Sequence, residues 1–80
     1  MIDVLVVEPS KIKLGELTKY IKTVKNIKTI SSAKNADEAL AIASEKLPDI
    51  TFINQVLLYQ NGIDLIKEMK KIGDDIYIAY

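Results

Sequence analysis

One stretch, from Pro48 to Ile66, restricts the fold more than any other. Pro48-Asp49-Ile50-Thr51-Phe52-Ile53-Asn54-Gln55-Val56-Leu57-Leu58-Tyr59-Gln60-Asn61-Gly62-Ile63-Asp64-Leu65-Ile66 reads as strand, loop and helix. Pro48 ends the preceding helix, because its ring cannot continue one and it restricts the residue before it. Ile50 to Ile53 is a short apolar run of β-formers, as expected of a strand buried on both faces of a parallel sheet. Asn54 then falls at the carboxyl end of that strand, where ligands and chemistry collect in open α/β sheets. Asn61-Gly62 is a turn signal, and Ile63 to Ile72 carries helical spacing.

The remainder of the chain supplies the partners such a strand needs. Ile2 to Val7 is a first strand, and the unbroken run Val4-Leu5-Val6-Val7 places it centrally. Ser10 is suited to cap a helix from Lys11 to Lys25, with Leu14, Leu17, Ile21 and Val24 as its buried stripe. Gly15 weakens that helix by about 1 kcal/mol relative to Ala. Ile27 to Ser31 alternates imperfectly, as suits a sheet edge. Asn35 and Glu38 have the spacing of a capping box, and Ala39, Leu40, Ala43 and Leu47 form the next buried face. Leu65, Ile66, Met69 and Ile72 stripe a third helix that Gly73 is placed to cap. Asp74-Asp75 is a loop, and Ile76 to Tyr80 a fourth strand.

Composition excludes several kinds of chemistry. The chain has 80 residues, no Cys and no His. Disulfides, thiolate or imidazole zinc sites, Ser-His-Asp and Cys-His catalysis and a phosphohistidine are all ruled out. Carboxylates and carbonyls remain as metal ligands, which suits Mg²⁺ or Ca²⁺. Eleven basic residues balance 11 acidic ones, so no global field attracts nucleic acid. Lys11, Lys13, Lys19, Lys22, Lys25 and Lys28 form a local basic bias. It reads either as a solvated outer helix face or as a docking face for an acidic partner or nucleic acid. No Arg or interleaved aromatic cluster supports nucleic-acid readout. No apolar run approaches a membrane span and no charged leader precedes an apolar segment, so a cytoplasmic location is expected.

Pro48-Asp49, the apolar strand, Asn54, the hydrophobic loop and Asn61-Gly62 leading into a helix together resemble the receiver domain of two-component response regulators. The likeness runs without a gap from Pro48 to Ile66, and Ala33 to Leu40 is similar to the same family's pattern. It implies an α/β, CheY-like and flavodoxin-like three-layer fold. The parallel sheet would have the order 2-1-3-4, with residues 1–80 forming one receiver-like domain. The whole family domain would add a further helix, a fifth strand ending in a functional Lys and a final helix, so the likeness covers about two thirds of it.

The resemblance also assigns roles. Asn54 stands where the phospho-accepting Asp belongs. Leu58 replaces the usual loop Pro. Glu8 keeps one of the paired acids that help bind Mg²⁺, and Pro9 removes the other. Glu8 is thus either a weakened metal ligand or a solvated strand-end acid. Pro9, Gln55 and Val56 would line the pocket. A neutral amide is a poor nucleophile and removes one anionic ligand, so no phosphorylation at Asn54, no catalysis and no firmly held cofactor are expected. The neutral side chain also lowers charge repulsion at the strand ends, which would favour a fixed conformation.

The implied function is signalling through protein contact with a histidine kinase or an output domain, without nucleic acid or membrane. Ile76, Tyr77, Ile78 and Tyr80 are candidates for an interface or for self-association, because a fourth strand left at the edge invites pairing. Two other readings stand beside this one. The first is a small flavodoxin-like module holding an anion or nucleotide at the strand ends, although Glu8-Pro9-Ser10-Lys11 lacks a Gly-rich phosphate loop. The second is a self-assembling structural fragment.

Overall fold

A computed structural model describes residues 1–54, 63–73 and 77–79. Strand β1 (Ile2–Val7) leads to helix α1 (Lys11–Ile21), strand β2 (Ile27–Ala33), helix α2 (Ala36–Glu45) and strand β3 (Ile50–Ile53). Helix α3 (Ile63–Ile72) and the short strand β4 (Tyr77–Ala79) come after them. The chain is α/β, with parallel strands in the order β2-β1-β3 and three helices, consistent with a flavodoxin-like fold. Beyond β3, the backbone of β4 runs parallel to it, with Ile50 opposite Tyr77 and Phe52 opposite Ala79. No described helix is long and apolar enough to cross a membrane.

The sheet separates two apolar clusters. Leu5, Val7 and Ile53 face α2 and α3, where they are buried with Ala33, Ala39, Ala43, Leu65 and Met69. Val4 and Val6 face α1 and its Ile21. Alternation along β1 sends successive side chains to opposite faces, so a strand covered on both sides must be apolar throughout. Each such fully buried side chain contributes roughly 1.5–3 kcal/mol. The α1 face is the thinner one. Leu14, Leu17, Ile27, Ile30 and Phe52 there are only partly buried. Strand β3 accordingly has Thr51 and Ile53 buried and Ile50 and Phe52 half-buried, which corrects the expectation of a strand buried on both faces.

The imperfect alternation of β2 has a structural cause. Ile2 pairs with Ile27 and Asp3 with Thr29, so Lys28 is an extra residue in the register. One inserted residue reverses the parity of the strand beyond it. Ile27 and Ile30, three apart, therefore reach the same cluster beneath α1. The strand also runs on to Ala33, past the expected end at Ser31, because Val6 and Val7 continue the pairing with Ser32 and Ala33.

Helix α1 stops at Ile21 rather than Lys25. The Lys22 N–H donates to Thr18, and the Thr23 and Val24 N–H groups close tight turns on Tyr20 and Ile21 at 3.0 Å each. Asn26 then adopts φ 72°, a left-handed conformation that Asn tolerates better than most residues. Val24 therefore lies outside the helical stripe and is 56% exposed. Leu47 and Ile72, both expected in buried stripes, are also exposed. Leu47 lies beyond the end of α2, and Ile72 is the last residue of α3.

Both expected caps form. Ser10 Oγ accepts from the Lys13 N–H at 3.3 Å, and Asn35 Oδ1 accepts from the Glu38 N–H at 2.9 Å. Glu38 Oε2 accepts from the Asn35 side-chain amide, not from its backbone. Gly73 donates its N–H to Met69 at 3.1 Å without a positive φ. Its requirement is space, because a Cβ there would collide with Leu47 Cδ2.

Candidate functional site

The carboxyl ends of β2, β1 and β3 are tied side by side. The Glu8 N–H donates to the Ala33 carbonyl and the Asn54 N–H to the Val7 carbonyl, each at 2.9 Å. Glu8 and Asn54 thus emerge next to each other just past β1 and β3, as parallel strands in register require. Both are buried, with exposures of 2% and 7%. Asn54 Nδ2 donates to Glu8 Oε1 at 2.8 Å, and the Ser10 N–H donates to Glu8 Oε2 at 3.0 Å.

This arrangement excludes one of the two sequence readings of Glu8. The residue is not a solvated strand-end acid. It is a buried carboxyl group whose two oxygens each accept a hydrogen bond, as a buried polar group requires. Pro9 is exposed and brings no polar side chain to the site. Gln55 and Val56, expected to line the pocket, lie outside the described residues, as do the Asn61-Gly62 turn, Leu58, Asp74 and Asp75. Ile76 and Tyr80 also lie outside them, and for Tyr77 and Ile78 only the backbone in β4 is described.

The described residues alone do not assemble a site for a divalent cation. No group of three or more carboxylates converges among the described residues. Near the strand ends, Glu8 directs both oxygens to N–H donors, and Asn54 turns the donating side of its amide to Glu8. Hard cations instead need several oxygen ligands free to converge on one point.

At the opposite end of β1 lies a network that the sequence reading missed. Asp3 Oδ1 accepts from the Thr29 hydroxyl at 2.6 Å and pairs with Lys46 Nζ at 3.4 Å. The Asp3 N–H donates to Asp49 Oδ2 at 2.7 Å, and the Asp49 N–H returns a bond to the Asp3 carbonyl at 2.8 Å. The Thr29 hydrogen bond, helped by Lys46 and Lys28 and opposed by desolvation, holds the Asp3 carboxyl below its ordinary value. An acid inside a strand otherwise built of Val, Leu and Ile was the available signal.

No known family profile matches the chain. A sensory transduction protein of Bacillus subtilis (strain 168), LytT, is 29% identical to it over 72 residues, which is 90% of this chain and 30% of that protein. The chain therefore spans less than a third of the length of that relative.

Proposed function

We propose that the chain is a receiver-like domain of two-component signal transduction that signals by protein contact and is not phosphorylated at Asn54. The observation that carries this reading is the hydrogen bond from Asn54 Nδ2 to Glu8 Oε1 at the ends of β3 and β1. In the receiver resemblance these are the positions of the phospho-accepting Asp and of a metal-binding acid. Here an amide joins them. An amide is neutral and a poor nucleophile, so attack on a phosphoryl donor has no carboxylate to make it. The likeness to a sensory transduction protein supports the signalling class. The strand order β2-β1-β3, with β4 beyond, supports the receiver-like arrangement.

On this reading the domain is not an enzyme and holds no Mg²⁺ at Glu8. Its partners are proteins, a histidine kinase or an output domain, and it acts in the cytoplasm. Glu8 argues against the rival anion-holding module, because a buried carboxylate at the strand ends repels a phosphate there.

The test is intact mass after incubation with acetyl phosphate and Mg²⁺, for the parent chain and for Asn54→Asp. The expected result is no phosphoryl adduct on the parent. An adduct on the variant would locate the block at this one side chain. An adduct on the parent would refute the proposal.

A further inference from the structure

The charge balance of the whole chain conceals a segregation. No acidic residue occurs between Glu16 and Asp37, while Lys19, Lys22, Lys25, Lys28 and Lys34 all do. All of these lysines are exposed, and none forms an ion pair among the described residues. Three of them, Lys22, Lys25 and Lys28, lie in or beside the α1–β2 turn. That turn is shaped by the early stop of α1, by the left-handed Asn26 and by the inserted Lys28.

A hollow of about 310 Å³ opens at the same place, lined among the described residues by Lys22, Val24, Ile27, Lys28 and Ile30. Its floor is aliphatic, since Ile27 and Ile30 belong to the partly buried margin of the α1 cluster. Val24 stands at its side with more than half its surface in water. Lysines beside such a hollow lay their stems along it and hold their ammonium groups outward.

We propose that this hollow docks an acidic protein segment that carries an aliphatic side chain. Lys22 and Lys28 receive its carboxylates, and Val24, Ile27 and Ile30 receive the apolar group. The site is distinct from the Glu8–Asn54 end of the sheet. The chemistry selects this occupant in two ways. Lysine ammonium groups are point charges without the planar fork that reads phosphate, and among the described residues no aromatic side chain lines the hollow to stack a base. An occupant of this kind gains orientation from its charges and residence from the buried aliphatic group.

The test uses the full chain and a short fluorescein-labelled peptide alternating Glu and Leu. Binding is read by anisotropy and by amide NMR shifts. The expected result is salt-sensitive binding with shifts confined to the α1–β2 turn and the start of β2. Lys22→Glu combined with Lys28→Glu should weaken it by about tenfold or more. Val24→Ser should weaken it severalfold while leaving the salt sensitivity in place. These side chains are exposed, so the variants should keep the parent's melting curve. Four results would each overturn the proposal. One is no binding. Another is undiminished binding by the charge-reversed variant. A third is equal affinity for the same peptide with Ser in place of Leu, or for a DNA oligonucleotide. The fourth is loss of a salt-sensitive dimer in the charge-reversed variant, which would give the surface to a second copy.

Discussion

The substitution Asn54→Asp exchanges one atom group for another of the same size, so its cost is electrostatic rather than steric. In the parent, Asn54 Nδ2 donates to Glu8 Oε1 at 2.8 Å with both side chains buried. In the variant an oxygen replaces that nitrogen. Two full charges at the 2.8 Å separation repel by about 6 kcal/mol at an effective dielectric constant of about 20. The pair has a less costly course, which is to keep one proton and share it. With an ordinary Glu value of about 4.3 and 1.36 kcal/mol per unit, holding that proton costs about 4 kcal/mol near pH 7.5 and about 1 kcal/mol near pH 5. The protonated carboxyl also restores a donor in place of the lost amide.

The sign comes from linkage. Between the ordinary carboxylate range and neutrality the folded variant binds more protons than its unfolded chain, so its stability falls as pH rises. Urea denaturation of parent and variant by circular dichroism, at about pH 5 and about pH 7.5, measures both losses. A loss of about 4 kcal/mol at the higher pH that shrinks to about 1 at the lower is expected. A loss that is the same at both values, or below about 1 kcal/mol at the higher, would refute the contact as the origin of the effect.

Three further substitutions test other parts of the fold. Gly15→Ala should raise stability by about 0.5–1 kcal/mol, because a Cβ there meets nothing within 4 Å and the residue lies inside α1; an unchanged urea midpoint would count against α1 as a continuous helix. Thr51 Oγ1 is buried without a hydrogen-bond partner, so Thr51→Val should stabilise by about 1 kcal/mol, and a loss of stability would show that the hydroxyl has a partner in solution. The Asp3 carboxyl is held below its ordinary value, so its stabilisation is present above the unfolded value and lost as pH falls through the folded one. The stability gap between the parent and Asp3→Asn should therefore close as acid is added below about pH 4, and a gap independent of pH would refute this role.

The features legible in the sequence were those that depend on neighbours along the chain. The bounds of β1, β3 and α3 match the apolar runs and helical spacing that announce them, and Ser10 and Asn35 cap as their positions imply. The helix end at Ile21 was hidden, since Val24 continues the apolar spacing and only the turn geometry around Asn26 removes it from the stripe. The insertion at Lys28 was hidden too, because it exists only relative to Ile2 and Asp3 on the neighbouring strand. The site was half legible. Strand ends placed Glu8 and Asn54 individually, but their hydrogen bond joins residues 46 apart and required the sheet register to be known.

The two acids at the ends of β1 differ in their described partners. Asp3 is held partly by Lys46 and Lys28, cations at the surface whose influence weakens with salt and vanishes when the acid is protonated. Glu8 accepts from the neutral N–H groups of Asn54 and Ser10, inside the protein where screening is slight. A sheet built this way has an ionic contact at the amino end of β1. Raising the salt concentration at neutral pH should accordingly lower the urea midpoint of the parent more than that of Asp3→Asn. Asn54→Gln, which keeps an amide but displaces it, should retain the parent's salt response. If the parent and Asp3→Asn respond equally to salt, the assignment of ionic sensitivity to the Asp3 end fails.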